Sequence, residues 1–171
     1  MDTRTDNLQL NVGFIAQESI GYSRDFIFGL PAFSPLPDLE LRNLEGKVQV
    51  SRTSEGLLFR GKFQAYTAAI CGRCLCDFDQ LLKTDFTELY TFASQATEDT
   101  ELVYPENGQV EFGPVVWEYL LLETPINPVC RPDCKGLCSI CGNDLNIEVC
   151  DHEPDTIDPR LSVLKGLLDE K

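Results

Sequence analysis

The sequence has a single histidine, His152, so a Ser-His-Asp set has only one place to take its base. No Gly-rich phosphate loop is present, which removes the usual sign of a nucleotide-handling enzyme. No run of about 18 apolar residues occurs, so no membrane-spanning helix is expected. The opening Met-Asp-Thr-Arg-Thr-Asp-Asn is acidic and polar. It lacks the apolar centre of a secretory signal and the basic residues of a transit peptide, so the expected compartment is the cytoplasm. Between residues 84 and 129 there is no lysine or arginine but nine acidic residues. No internal repeat or low-complexity tract is evident.

The 171 residues are 43% hydrophobic, enough for one domain with a modest core. Net charge is −14 and unevenly spread. Residues 42–83 carry seven basic and four acidic groups and form the one locally basic stretch. A strongly acidic chain repels polyanions at long range. Direct RNA contact would therefore have to use that stretch, and a basic protein surface is the more natural partner. The plain alternative for the acidic stretch is a solvated loop that keeps the protein soluble.

Alternation of apolar and polar residues predicts a first strand over 8–16 and a short one over 25–28. Pro31, Pro35 and Pro37 make 31–37 a loop, because proline removes ladder donors. Strands follow over 44–52, with Val48 and Val50 on one face, and over 57–70. In the latter Phe59, Phe63 and Ala65 share one face, and Arg60, Lys62 and Gln64 the other. Cys71–Cys74 then forms a turn, and residues 81–92 return as a strand, so the Cys-x-x-Cys pair sits at a hairpin tip. Residues 93–108 read as a long mobile loop. Residues 114–123 read as a helix with Pro114 at its first position and Val115, Val116, Tyr119 and Leu120 on its core side. Asp158-Pro159-Arg160 starts a second short helix over 159–168, with Leu161, Leu164, Leu167 and Leu168 on one face. The expected architecture is α+β: an antiparallel β-rich body (1–128) with two short helices in the chain, and a cysteine-rich, zinc-binding C-terminal segment (129–171).

Eight cysteines in a reducing compartment, clustered as Cys-x-x-Cys pairs, point to metal rather than disulfides. Their pattern is Cys-x2-Cys, a long gap, then Cys-x3-Cys-x3-Cys-x2-Cys-x8-Cys-x-His. Structural zinc takes four ligands in a closed tetrahedron. Setting aside Cys76, which has no evident partner, eight candidates remain and make two sites. The favoured split is Cys71, Cys74, Cys130 and Cys134, bridging hairpin and tail, and Cys138, Cys141, Cys150 and His152, all from one segment. Other partitions stay open: Cys71, Cys74, Cys138 and Cys141 could share one ion, or the tail could hold one ion and leave the rest as thiols. An iron–sulfur cluster would want different spacing. A thioredoxin-like reading of Cys71-Gly-Arg-Cys74 would want a helix after the first cysteine to lower its pKa, and the residues that follow do not start one. Thiolate-rich ligation favours a closed structural site over an open catalytic one.

Cys71-Gly-Arg-Cys74-Leu after a strand, Pro125 and Pro128 after an apolar helix, the run Asp133-Cys-Lys-Gly-Leu-Cys-Ser-Ile-Cys-Gly-Asn-Asp-Leu-Asn146, Cys150, and Asp158-Pro-Arg-Leu161 together resemble the YceD family. Its members occur in bacteria and chloroplasts and are described as large-subunit ribosomal RNA accumulation proteins. The resemblance covers roughly residues 45–170. Many members end the cluster in Cys-x-Cys, where this chain has Cys150-Asp-His152, a change that preserves ligation. Some members lack the tail cysteines but keep the first pair. The resemblance implies a non-enzymatic role in accumulation or processing of large-subunit ribosomal RNA, with that RNA, ribosomal proteins or a pre-ribosomal particle as partner. It supplies no mechanism and no catalytic residue. Arg52, Arg60, Lys62, Arg73, Arg131 and Lys135 are the candidates for RNA contact. The alternatives are a zinc-stabilised protein-interaction module acting on RNA indirectly, and a thiol oxidoreductase.

Overall fold

The computed structural model describes residues 8–152. Four long strands, β2 (Ser23–Phe33), β3 (Leu41–Arg52), β4 (Gly56–Ile70) and β5 (Asp77–Thr91), form an antiparallel meander in chain order. A second, two-stranded sheet pairs β1 (Gln9–Asn11) with β6 (Gln109–Glu111), so the two ends of the body meet. Helix α1 (Gly13–Gln17) follows β1, and α2 (Gly113–Leu122) follows β6 with Pro114 in its first turn.

Alternation explains the meander. Along β4, Leu57, Phe59, Gly61, Phe63, Ala65 and Thr67 are buried, while Arg60, Lys62, Gln64 and Tyr66 face solvent. Leu82, Phe86 and Tyr90 of β5 and Val48 and Val50 of β3 join the inner face. Helix α2 adds Val116, Trp117 and Leu120, and Trp117 Nε1 donates to the Leu39 carbonyl at 3.2 Å. Phe112 sits between Phe28, Phe59 and Phe63, with ring centroids 5.2–6.3 Å apart. Such aromatic contacts couple α2 to the sheet. Two glycines make room for rings: a Cβ on Gly61 would lie 2.3 Å from Phe86, and one on Gly46 2.2 Å from Phe63.

Several expectations need correction. The segment read as a strand over 8–16 is a three-residue strand followed by a helical turn. The short strand at 25–28 extends over eleven residues and takes in Pro31. Pro31 is tolerated because β2 is an edge strand and Pro31 has no partner in the ladder, so no hydrogen bond is lost. Residues 93–108 form a loop, but it is tied down: Thr91 exchanges backbone bonds with Leu102 and Tyr104, and Tyr104 packs edge-on against Phe92. The helix expected over 159–168 lies outside the described residues. Among those described, no helix is long and apolar enough to cross a membrane.

Candidate metal centres

The hairpin between β4 and β5 turns at Cys71–Cys76, where Cys71 N–H donates to the Cys76 carbonyl at 2.9 Å. Within this turn Leu75 N–H returns to the Cys71 carbonyl at 2.9 Å, and Arg73 N–H points at Cys71 Sγ at 3.5 Å. The tail repeats the same device. Gly142 N–H returns to the Cys138 carbonyl at 2.9 Å, and Ile140 N–H points at Cys138 Sγ at 3.4 Å. The residue after each second cysteine has positive φ: Leu75 at 60° and Gly142 at 75°. Both Cys-x-x-Cys pairs are thus the same tight knuckle. Backbone N–H groups aimed at sulfur favour the thiolate. Donation from Cys130, Cys74 and Arg73 N–H groups lowers Cys71 to about 5, against the opposing effect of burial. Donation from Cys141 and Ile140 lowers Cys138 to about 6. Burial, together with the neighbouring thiols, raises Cys130.

The eight candidate ligands gather into two groups of four. Cys71, Cys74, Cys130 and Cys134 form one, and Cys138, Cys141, Cys150 and His152 the other. In each group all the donor atoms lie within 4.8 Å of one another. The Cys71–Cys134 and Cys74–Cys130 sulfurs are 3.9 and 3.7 Å apart. A tetrahedral ion with metal–sulfur bonds of about 2.3 Å has an edge of about 3.8 Å, so the first group already has the dimensions of a metal–thiolate tetrahedron. These distances are far too long for disulfides, and all eight cysteines are free. Each group could hold a metal ion. A set made of Cys71, Cys74, Cys138 and Cys141 does not come together among the described residues.

The tail is laced to the hairpin tip. Gly72 N–H donates to the Pro128 carbonyl at 2.8 Å and Leu137 N–H to the Arg73 carbonyl at 3.1 Å. Gly136, at φ 76°, lets the chain pass this close, since a Cβ there would sit 3.0 Å from Arg73 O. Cys71, Cys74 and Cys134 are buried here against Phe78, Val129 and Leu137. Cys76, unassigned from sequence, is exposed, yet its sulfur lies 3.3 Å from Cys74 Sγ. Its position two residues after Cys74 was the only hint.

The basic candidates separate. Arg52 is committed to structure: Nε donates to the Ala16 carbonyl at 3.1 Å and the guanidinium lies 4.3 Å from the Phe92 ring centre. Arg73 straps the first group through the Cys134 carbonyl at 2.9 Å. Arg131 bonds Asn146 at 2.8 Å and faces Asp133. Lys135 borders a hollow of about 370 Å³ beside Cys138, Cys150 and His152. Arg60 and Lys62 stand on the open face of the sheet. Register there adds two lysines that sequence reasoning missed: Lys47 pairs directly with Lys62, and Lys83 with Gln64. These three lysines line a groove of about 620 Å³ together with Ile27, Glu45 and Asp85.

Comparison with known proteins gives four points. The uncharacterized protein Rv2926c of Mycobacterium tuberculosis strain H37Rv is 35% identical over 137 residues, covering 78% of this chain and 62% of that protein. The uncharacterized protein ML1660 of Mycobacterium leprae is 30% identical over 125 residues (71% and 57%), and the uncharacterized protein YlbN of Bacillus subtilis 29% over 100 residues (57% and 58%). The chain thus spans about three fifths of the length of the curated relatives it matches. No solved structure matches. The family model described as "Large ribosomal RNA subunit accumulation protein YceD" matches residues 59–168, through both knuckles and the strand leading into the first, and the chain belongs to the YceD family.

Proposed function

We propose that this chain is a non-enzymatic factor in the large-subunit ribosomal RNA pathway, stabilised by two structural zinc ions, which meets RNA of the pre-ribosomal particle through the open face of its sheet. Family membership supports the pathway. Two closed sets of four soft ligands support zinc in a structural role, because each set leaves no coordination position for a reacting water. The first cysteine of each pair lies in a turn, not at a helix N-terminus, which speaks against thiol exchange.

The single observation that carries the RNA contact is the lysine arrangement on the open face. Arg42 is paired with Asp79, and Lys47 with Asp25 at 3.4 Å, but among the described residues Arg60, Lys62 and Lys83 make no ion pair. Lys47 and Lys62 stand directly opposite across the β3–β4 ladder. Like charges in that position repel, and a phosphate placed between them removes the penalty. The acidic residues of 84–129 keep general affinity for polyanions low, so contact is confined to this face.

The test is binding of a large-subunit ribosomal RNA fragment at stepped salt, comparing the parent protein with Lys47→Ala/Lys62→Ala. The double substitution should weaken binding and reduce the salt slope by about 1.4–1.8, at about 0.7–0.9 per phosphate contact. An unchanged slope would sink the proposed RNA face.

A further inference from the structure

The structure assigns Asn146 as a positioning residue that couples the two metal centres: its side-chain amide, carried on the loop that the second centre closes, donates to a cysteine sulfur of the first. This inference rests on metal occupying both groups. Asn146 lies between Cys141 and Cys150, the two second-group ligands that bound the eight-residue spacer. Its Oδ1 accepts from Lys135 N–H at 2.8 Å and from Arg131 Nη2 at 2.8 Å. Two donors on one oxygen fix the orientation of the amide. Nδ2 therefore faces the other way, 3.5 Å from Cys134 Sγ and 2.6 Å from Asp144 Oδ1. Asp144 in turn holds the loop, accepting Asn146 N–H at 2.9 Å through its carboxylate and the N–H groups of Ile147 and Glu148 at 3.0 Å through its carbonyl.

An N–H donor on a metal-bound thiolate withdraws charge from sulfur and fixes its direction, and loss of such a partner costs about 10–100-fold in metal affinity. The donor is held in place by a loop whose ends are joined through the second ion. Filling the second centre shortens the freedom of that loop and so presents the amide to Cys134. The second ion then acts on the first centre without touching it, and by linkage the first acts equally on the second.

The experiment is cobalt(II) titration of the reduced, metal-free full chain, following the thiolate-to-cobalt charge-transfer band of the four-cysteine centre. The variants are Asn146→Ala, His152→Ala, the double variant, and Asn146→Asp, which keeps the acceptor oxygen and removes the donor. We expect two ions per chain in wild type and in Asn146→Ala, with first-centre affinity lowered about tenfold in the latter. The charge-transfer band should move to lower energy because the thiolate loses its donor. His152→Ala should lower first-centre affinity and shift that band in the same way, and adding it to Asn146→Ala should change neither further. Asn146→Asp should behave like Asn146→Ala, since the retained oxygen does not restore the N–H. Two ions in wild type with an unchanged first-centre band and affinity in Asn146→Ala, or additive effects in the double variant, would overturn the coupling alone. Failure of wild type to take up two ions would overturn the metal reading and the coupling with it.

Discussion

Two tail glycines have nearly the same backbone conformation but different surroundings, and substituting alanine for each separates conformation from packing. Gly136 and Gly142 have φ of 76° and 75°. A side chain in the left-handed region costs about 1–2 kcal/mol, partly offset by about 0.4–1 kcal/mol from a stiffer unfolded chain. Gly142 has nothing within 4 Å of the added Cβ, so Gly142→Ala should cost about 1 kcal/mol and leave the second knuckle intact. At Gly136 the new Cβ meets Arg73 O at 3.0 Å and Arg73 Cβ at 3.3 Å. That carbonyl accepts Leu137 N–H and belongs to the residue between Cys71 and Cys74, so it moves only by distorting the first metal centre. Overpacking of this kind adds about 1–3 kcal/mol. Gly136→Ala should therefore cost about 2–4 kcal/mol in all. Urea unfolding at fixed, buffered zinc reads both substitutions, with unchanged m-values required for the comparison. A Gly142→Ala variant as unstable as Gly136→Ala would refute the reasoning, because the difference rests wholly on the approach of the tail to Arg73.

The Tyr90 hydroxyl is buried without a partner among the described residues, and burial raises its pKa to about 12. Tyr90→Phe should be neutral or stabilising by about 1 kcal/mol, and a loss of stability in thermal unfolding would show that the hydroxyl is bonded. Metal affinity should fall as pH falls from about 8 to about 6, by about tenfold per unit for each proton expelled on binding. At neutral pH Cys71 and Cys138 are already ionised, whereas Cys130 and Cys150 have raised pKa values and must each release a proton. Below about 6 the lowered pair also takes up protons and the loss steepens. Chelator competition across that range checks this, and a flat profile would contradict it.

The strand faces of β4 and β5 were legible because one side is buried and the other wet, which imprints a period of two on Phe59, Phe63, Phe86 and Tyr90. Strand β2 was hidden behind Pro31, whose meaning changes at a sheet edge. Strands β1 and β6 are three residues each and pair across about a hundred residues of chain, so neither carries a local signal. The ligands of the second group lie on one short segment, and spacing alone brings them into reach. The first group needed the assumption that the tail returns to the hairpin tip, which the Gly72–Pro128 and Leu137–Arg73 bonds now show. Asn146 could not be picked out, since its amide acquires a role only where the tail folds back on Cys134. Lys47 and Lys83 join Lys62 only through strand register, which separates them by chain distance and unites them on one face.

The central claim is two tetrahedral zinc centres built from Cys71, Cys74, Cys130 and Cys134 and from Cys138, Cys141, Cys150 and His152. Its most direct test is zinc per chain by elemental analysis on protein purified without chelator, repeated on Cys71→Ala and His152→Ala. The account predicts two ions in the parent and one in each variant. Full metal retention in either variant, or no metal in the parent, would contradict it.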